Sequence, residues 1–378
     1  MNTIDTAARE YANRPKDERY PSLQALIDHS LVVKNTSAER TYNLHDLNVV
    51  PRRIIASEPG NPPIETLRLQ SPKGDAQFTA WSFSQLCRTV GAPAGYVRDL
   101  PPALAAECLN YGLHDASAHG TSANLLVQAN GEPTPIVRAC TSDSYGRLWD
   151  ADLYGSVARM ITDRDPSWGL PPTWSGEPAG AYSSDRDSFL IVTNGGSIVT
   201  DPSIRTSGSD DGSMYRGLLI RNSEVGASSV TIETILYRYV CGNHMLWGAL
   251  IDRSFRRRHF GSHVLRDTVR EIARIAYDWG HASAGRDQAI IRALIDHEVA
   301  QTKEGVIDEL RALGASKDQA ENAYARCEQT EGASPRSFWG LAQGVTRISQ
   351  DAGYQDARYE LDRIAASLLL KGRKLVAA

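Results

Sequence analysis

The residues with the clearest capacity for chemistry are arginines and aromatic side chains that crowd together between residues 215 and 260. An arginine guanidinium can donate two hydrogen bonds to one phosphate group, and an aromatic face can stack on an unpaired base. Both kinds of side chain are interleaved in this segment, at Tyr215, Arg216, Arg221, Tyr237, Arg238, Tyr239, Trp247, Arg253, Phe255, Arg256, Arg257, Arg258 and Phe260. The pattern predicts a groove that binds single-stranded nucleic acid.

A local excess of positive charge favours the same function. Residues 252–274 contain seven arginines and three acids, a net charge of +4, whereas the whole chain carries −4. If about four to six phosphates are neutralised there, affinity falls steeply as salt rises. We therefore predict nucleic-acid contacts from Arg221, Arg238, Tyr239, Arg253, Phe255, Arg256, Arg257, Arg258 and His259. The predicted partner is single-stranded DNA, bound by a chain that can form a homo-oligomer.

A purely structural interpretation of these residues stays open. Arg270 can pair with Asp267, and Arg274 with Glu271, at the spacing of one helical turn. Tyr237 and Tyr239 share one side of a strand and can belong to the core, in which case Arg238 points outward between them.

Paired acids are the second chemically competent pattern. They occur at residues 163 and 165, 185 and 187, and 210 and 211, each in a segment rich in proline, glycine or serine. Two-metal nucleases need carboxylates that converge on the ions. A metal-dependent nuclease or nucleotidyl-transfer enzyme that uses Asp185, Asp187 or Asp210 is therefore an alternative function. Acids in loops more often form turns, so this alternative ranks second, beside a non-enzymatic host-interaction protein.

The familiar cofactor motifs are missing from the sequence. It contains no phosphate-binding loop, no dinucleotide-binding glycine motif after a strand and no zinc-protease helix motif. His259 and His263 are four residues apart, but no neighbouring acid or cysteine completes a metal site. We predict no cofactor, no metal and no catalytic residue, and favour a protein without catalysis over an enzyme.

Composition indicates an ordinary globular protein. Apolar residues make up 41% of the chain and charged residues 23%. No apolar run reaches the length of a membrane span, and the first ten residues are too polar for a signal peptide. The five cysteines are widely spaced and odd in number, which favours free thiols. We expect a cytoplasmic protein without a membrane partner.

The periodicity of apolar residues predicts an α+β fold. A leader element covers residues 1–36, a mixed, strand-rich central domain covers 37–250, and a helical region covers 251–378. Ser22 is an expected helix N-cap. Helices separated by a break are expected over 81–113, in an outline that also fits a helix-turn-helix, and a β-hairpin over 121–140. Gly195 and Gly196 are expected in a loop.

Four blocks of sequence resemble one known family. They are NRPKDERYPSL at residues 13–23, WSFSQLC and APAGY at 81–96, NSEVG and RYVCGN at 222–243, and FWGLAQGVT at 338–346. In this order they resemble the phage/plasmid-like family defined by domain of unknown function 932, over nearly the whole chain. Members of that family occur in phages, prophages and plasmids, often among DNA-processing genes. The resemblance implies a role in mobile-element nucleic-acid metabolism, and it transfers no catalytic residue.

Overall fold

Strands from distant parts of the chain form two sheets in the computed structural model, and helices cover both. The predicted α+β class is confirmed, including the helical C-terminal region. The structure describes residues 14–54, 64–129, 131, 133–163, 165–171, 180–204, 212–238, 244–247, 254–259, 263–330 and 333–376.

The large sheet has eight strands in the described chain. Its main path runs β1-β9-β10-β11-β12-β13, with β14 also paired to β12 and β8 to β10. These strands are β1 (Glu18–Arg19), β8 (Trp168–Gly169), β9 (Ala181–Ser183), β10 (Ser188–Thr200), β11 (Ser213–Asn222), β12 (Val230–Tyr237), β13 (His244–Leu246) and β14 (Ser254–Arg257). All of these pairings are antiparallel.

Both faces of the large sheet are covered, which explains the unbroken apolar run at the start of β10. Its residues 189–192 are all buried, although successive side chains point to opposite faces. The helices associated with this sheet are α1 (Leu23–Thr36), α5 (Asp150–Val157), α6 (Val264–Gly280), α7 (Ala284–Asp296), α8 (Lys303–Ala312), α9 (Lys317–Thr330), α10 (Phe338–Ser349) and α11 (Gln355–Val376). Most of them pack on the face that carries Leu190 and Val192 of β10. Tyr359 and Ala366 of α11 pack on the other face, which carries Phe189 and Ile191.

One expected loop is part of a strand. Gly195 and Gly196 lie inside β10, where the pairing with β11 shifts register between Asn194 and Ile198. Glycine within a strand often marks such a bulge. The expectation of a loop at these two residues was wrong because a bulge and a loop have the same local sequence signal.

The small sheet lies in the N-terminal half and has the order β2-β6-β7-β5-β4-β3. Its strands are β2 (Ser37–Asn43), β3 (Asn48–Ile54), β4 (Ile64–Ser71), β5 (Gly74–Phe78), β6 (Ser122–Gln128) and β7 (Ile136–Thr141), and α2 (Ala80–Thr89), α3 (Ala94–Asp99) and α4 (Pro102–Ala118) pack against it. The predicted hairpin (β6–β7) and interrupted helical segment (α2–α4) are both confirmed.

The N-terminal element is also close to its prediction. Ser22 caps α1 by accepting a hydrogen bond from the backbone of Ala25, and Leu26 and Ile27 bury the helix against the large sheet. Residues 14–20 are not a free polar leader, however, because the Arg14 side chain is only 10% exposed and contacts α11 through Asp356.

Residues 222–226 connect the two sheets. Val225 is buried with Leu126 and Ala139 of the small sheet. Its carbonyl accepts hydrogen bonds from Trp81 Nε1 at 3.1 Å and Gln85 Nε2 at 2.7 Å, both from α2. The motif from the central resemblance block therefore works as a buried joint.

The large sheet also crosses the predicted boundary at residue 250. Strand β12 lies before that position and β14 after it, and the two pair directly. The domain boundaries themselves stay a prediction. None of the helices in the described part of the chain combines the length and apolar composition needed to span a bilayer. Cys87, Cys108, Cys140 and Cys327 are free thiols, as expected, and Cys241 lies outside the described residues.

Candidate nucleic-acid interface

The predicted basic cluster forms an edge strand of the large sheet. In β14, Phe255 pairs with Ile232, Arg256 with Thr231 and Arg257 with Val230 of β12. Side chains alternate between faces along a strand, so Phe255 and Arg257 share one face and Arg256 takes the other. Phe255 packs against the main core, which removes it from the set of exposed stacking aromatics.

The three consecutive arginines have different surroundings. Arg257 turns toward α6 and pairs with Asp267 at 2.7 Å. Arg256 and Arg258 are exposed, and neither makes a hydrogen bond or an ion pair with another described residue. The half-buried Glu233 lies near enough to Arg256 for its pKa to be affected. Burial raises the pKa of Glu233 to about 7, and the rise is opposed by Arg363, Tyr359 and Arg256.

Helix α6 lies next to this edge and adds a line of exposed cations. Arg266, Arg270 and Arg274 are four residues apart, so they lie on one face of the helix, and all three are exposed. Tyr277 continues the line and is 68% exposed. The opposite face buries Ile272, Ile275 and Trp279, among others, in the core, and this apolar stripe is why the segment folds as an amphipathic helix.

The ion pairs of α6 match the structural interpretation only in part. Arg274 pairs with Glu271 and Asp278, which confirms one predicted pair. The predicted pair of Arg270 with Asp267 is wrong, because Asp267 is occupied by Arg257 and Arg266. Arg270 is left without an ion pair in the described part of the chain.

Other predicted binding residues are inside the molecule. Arg221 pairs with the buried Asp187 at 2.6 Å, and its guanidinium lies over the rings of Phe189 and Tyr359. Arg238 is 1% exposed and donates a hydrogen bond to the Ile204 carbonyl at 2.9 Å. Arg238 therefore does not point outward, and neither residue lines an accessible surface.

Arg216 is another enclosed member of the arginine-rich segment. Its guanidinium pairs with Asp287 of α7 at 2.5 Å and donates to the Ser197 hydroxyl at 3.1 Å. It also lies 4.8 Å from the centre of the Trp279 ring. Because Trp247 Nε1 donates to the other oxygen of Asp287, this group ties α6, α7 and the large sheet together.

His259 is likewise enclosed. It is 7% exposed, and its ring lies 5.2 Å from that of Tyr145. Burial, with Arg147 nearby, lowers the pKa of His259 to about 4, so the side chain is neutral at pH 7. A neutral, buried imidazole does not attract phosphate. Tyr239, Arg253 and Phe260 lie outside the described residues.

Asp185 and Asp187, the candidate metal ligands of the alternative function, form ion pairs with arginines in the structure. Asp187 is held by Arg221, and Asp185 lies 3.5 Å from Arg14 and 3.7 Å from Arg186. Both side chains are buried, which raises the pKa of each carboxyl. The expectation that these acids form a turn is confirmed, because Ser184 and Asp187 hydrogen-bond across the turn between β9 and β10. Their side chains are not solvated, however, because they lie among arginine side chains.

No group of three or more possible metal ligands occurs among the described residues. Asp210 and Asp211 lie outside that part of the chain, and Asp163 is exposed. Asp165 accepts hydrogen bonds from Ser167.

A buried pair of carboxyl groups lies at the joint between the sheets. Asp150 accepts hydrogen bonds from Ser188 and Asn222, both at 2.7 Å. Glu224 pairs with Arg138 at 2.8 Å and accepts a hydrogen bond from the Asp150 backbone. Burial, and then the charge of Glu224, raises the pKa of Asp150 to about 7. These groups form hydrogen bonds across the joint and are enclosed by it.

Sequence reasoning missed two features of this site. Tyr277 and His281 stack on the exposed side of α6 with ring centres 4.4 Å apart, and their spacing of four residues was the available signal. The association of Asp150 with Glu224 had no local signal, because 74 residues separate them.

No protein-family model, curated protein or solved structure matches the chain. The resemblance to the phage/plasmid-like family therefore stays a prediction that rests on the four sequence blocks.

Proposed function

We propose that this protein binds single-stranded nucleic acid along the surface formed by β14 and α6. We name this surface the basic edge. It runs around the edge of the large sheet, from Arg256 on the face opposite α6 and Arg258 directly after β14 to Arg266 and Arg270 on α6. The observation that carries the proposal is that Arg256, Arg258 and Arg270 are exposed without an ion-pair partner among the described residues.

The contrast with the interior arginines supports this proposal. Arg14, Arg216 and Arg221 each face a carboxylate, so their charges are compensated inside the fold. Three charges of the basic edge, those of Arg256, Arg258 and Arg270, have no such compensation among the described residues and remain available to phosphate groups, which guanidiniums bind in bidentate fashion. A chain of net charge −4 needs such a local surface in order to bind a polyanion.

Single strands are favoured over duplexes because the arginines are accompanied by an exposed aromatic side chain. Tyr277 continues the exposed line on α6, and a ring at that position can stack on an unpaired base. A base within a duplex is already stacked and offers no free face.

The test is the double substitution Arg256→Ala and Arg258→Ala, with binding to single-stranded DNA and RNA oligonucleotides measured over a range of salt concentrations. We expect affinity at low salt to fall about tenfold or more. The slope of log affinity against log salt should become shallower by about 0.7 for each lost phosphate contact. Fluorescence anisotropy measures both quantities.

The matched control is Arg53→Ala with Arg88→Ala. These two arginines are exposed on β3 and α2, without an ion pair in the described part of the chain, and their loss changes net charge by the same amount. An equal loss of affinity in the control means that net charge, and not the basic edge, drives binding. Unchanged affinity in the Arg256/Arg258 variant overturns the proposal.

Charged side chains on an edge strand can also serve to prevent strand-to-strand aggregation. If this is what Arg256 and Arg258 do, the double variant self-associates while its affinity for nucleic acid stays unchanged. Size-exclusion chromatography with light scattering separates this result from a loss of binding.

A further inference from the structure

A cavity of about 240 Å³ opens beside the C-terminal end of α6. It lies between that helix, the turn that follows α5, and strands β8 and β10. The lining residues that matter are Asp165, Trp168, Asn194, Tyr277, Gly280 and His281. None of these residues was among the predicted binding residues.

Gly280 keeps this cavity open. A Cβ atom at this position would lie 3.4 Å from Asn194 Nδ2 and 3.6 Å from Trp168 Cζ2. Both distances are ordinary van der Waals contacts, so a methyl group would fit here without a clash and would cover the space beside the amide and the indole. The missing side chain therefore leaves the amide and the indole accessible from the cavity.

Asn194 supplies a hydrogen-bond donor to the cavity. The residue is 6% exposed, and its Oδ1 accepts a hydrogen bond from the Gly196 backbone at 2.8 Å, within the bulge of β10. That bond fixes the orientation of the amide. Its Nδ2 has no hydrogen-bond partner among the described residues and lies toward Gly280. This donor opens into the cavity, where a ligand can accept a hydrogen bond from it.

Other residues that line the cavity supply aromatic rings and hydrogen-bond acceptors. Tyr277 stacks on His281, and the Tyr277 carbonyl is 2.8 Å from His281 Nδ1. When the imidazole is neutral, Nδ1 is therefore the donor and Nε2 is left as an acceptor. Asp165 contributes a carboxylate whose pKa is lowered by its hydrogen bonds to Ser167, so it remains ionised.

We propose that this cavity, the base pocket, binds a single unpaired nucleobase of the strand held by the basic edge. The inference rests on the proposed function. A base is a flat heteroaromatic ring with donors and acceptors along its edge. It matches the stacked Tyr277, the donor of Asn194 and the acceptor of Asp165, whereas an aliphatic ligand would leave these polar groups unsatisfied.

The position of the base pocket fits this role. Arg266, Arg270, Arg274 and Tyr277 form one exposed line along α6, and the pocket lies at its end. Residues 266 to 281 span about 22 Å of helix. A strand whose phosphates follow the arginines thus reaches the pocket with its bases free to turn inward.

The deciding variant is Gly280→Ala, whose added methyl group narrows the pocket beside Asn194 and Trp168 without adding or removing a charge. We expect its affinity for a natural single-stranded oligonucleotide to fall about tenfold, the effect of losing one stacked base. An oligonucleotide of the same length with abasic sites throughout should bind the variant and the wild type equally. Tyr277→Ala, a change at an exposed side chain, should give the same pattern.

The matched control is Gly285→Ala in α7. The nearest atom to a Cβ there is the Ser283 hydroxyl oxygen at 3.9 Å, and the residue does not line the pocket. Both substitutions exchange glycine for alanine in a helix, so they share any effect of helix propensity. Gly285→Ala should bind both oligonucleotides like the wild type.

Two results overturn the base pocket: equal affinity of Gly280→Ala and wild type for the natural strand, or an equal loss for the natural and abasic strands. The basic edge fails in a different way. If Arg256→Ala with Arg258→Ala leaves both affinities unchanged while Gly280→Ala lowers only the natural one, the proposed path along the edge is wrong and the pocket stands. Titration with the four free nucleosides, followed by NMR, shows whether the pocket prefers a free nucleoside to a base within a strand.

Discussion

Arg221 and Arg256 lie on the same row of the large sheet, yet their surroundings are opposite. Arg221 pairs across the sheet with Thr231, and Thr231 pairs with Arg256, so all three side chains share one face. The two arginines are two strands apart, about 10 Å. Arg221 is covered by Tyr359 of α11 and pairs with Asp187, whereas Arg256 is exposed at the edge.

The difference shows what decides whether an arginine has a structural role or can bind a ligand. It is whether a helix covers that part of the sheet, and not the residue type. A guanidinium under a helix must be paired and hydrogen-bonded, since an isolated buried charge is very costly. At the sheet edge water solvates the same group, so no internal acid is needed. Interior arginines should therefore control stability, and edge arginines should control binding.

The largest effect on stability is expected when an interior arginine is removed. Arg216→Ala leaves Asp287 buried without its cation, and we expect the free energy of unfolding to fall by about 3–5 kcal/mol. Chemical denaturation measures the change. Arg216→Met combined with Asp287→Asn should recover part of the loss, because no ionised group remains unpaired and Trp247 keeps an acceptor. A loss below about 1 kcal/mol for Arg216→Ala would contradict the structural role.

Interior acids should make stability depend on pH. Because the pKa of Asp150 is raised to about 7 in the folded state, the native protein holds a proton there that the unfolded chain releases near pH 4. The contribution of this group is present at low pH and is lost as pH rises from about 4 to about 7.

The free energy of unfolding of Asp150→Asn should therefore rise relative to that of the wild type as pH increases across that range. The difference should become constant above it and amount to about 1–3 kcal/mol at pH 8. The measurement is denaturant unfolding at several pH values. The exposed Asp143→Asn is the control and should show no such trend. A difference curve for Asp150→Asn that is flat with pH would rule out a buried, protonated carboxyl at the joint.

The smallest effect is expected at the edge. Arg256→Ala with Arg258→Ala should leave the free energy of unfolding within about 0.5 kcal/mol of the wild type, since neither side chain has a hydrogen bond or ion pair among the described residues. Thermal and denaturant unfolding test this. A loss of 2 kcal/mol or more would show that these arginines belong to the structural class and would erase the distinction.

Much of the fold was predictable because its signals are local. Ser22 caps α1, and the short apolar runs on either side of Asn130 and Gly131 in the sequence located β6 and β7. The bulge at Gly195 and Gly196 was not predictable, because glycines that bend a strand look the same as glycines that end one. The pairing of β12 with β14 also had no local signal, since strand pairing depends on contacts across the sheet.

The candidate site divides in the same way. The sequence located the excess of arginine between residues 215 and 274, and Arg256 and Arg258 are indeed exposed. It could not separate them from Arg216, Arg221 and Arg238, because a strand shows which residues share a face but not what covers that face.

By itself, the sequence determined the α+β class, most helices and strands, and a concentration of positive charge in a chain of net negative charge. Only the tertiary structure decided which of those charges are free. Asp187, Asp287 and Asp356 come from distant parts of the chain to pair with Arg221, Arg216 and Arg14. Whether an arginine meets such a partner depends on long-range packing, and a guanidinium acts on a ligand only where packing leaves it in water.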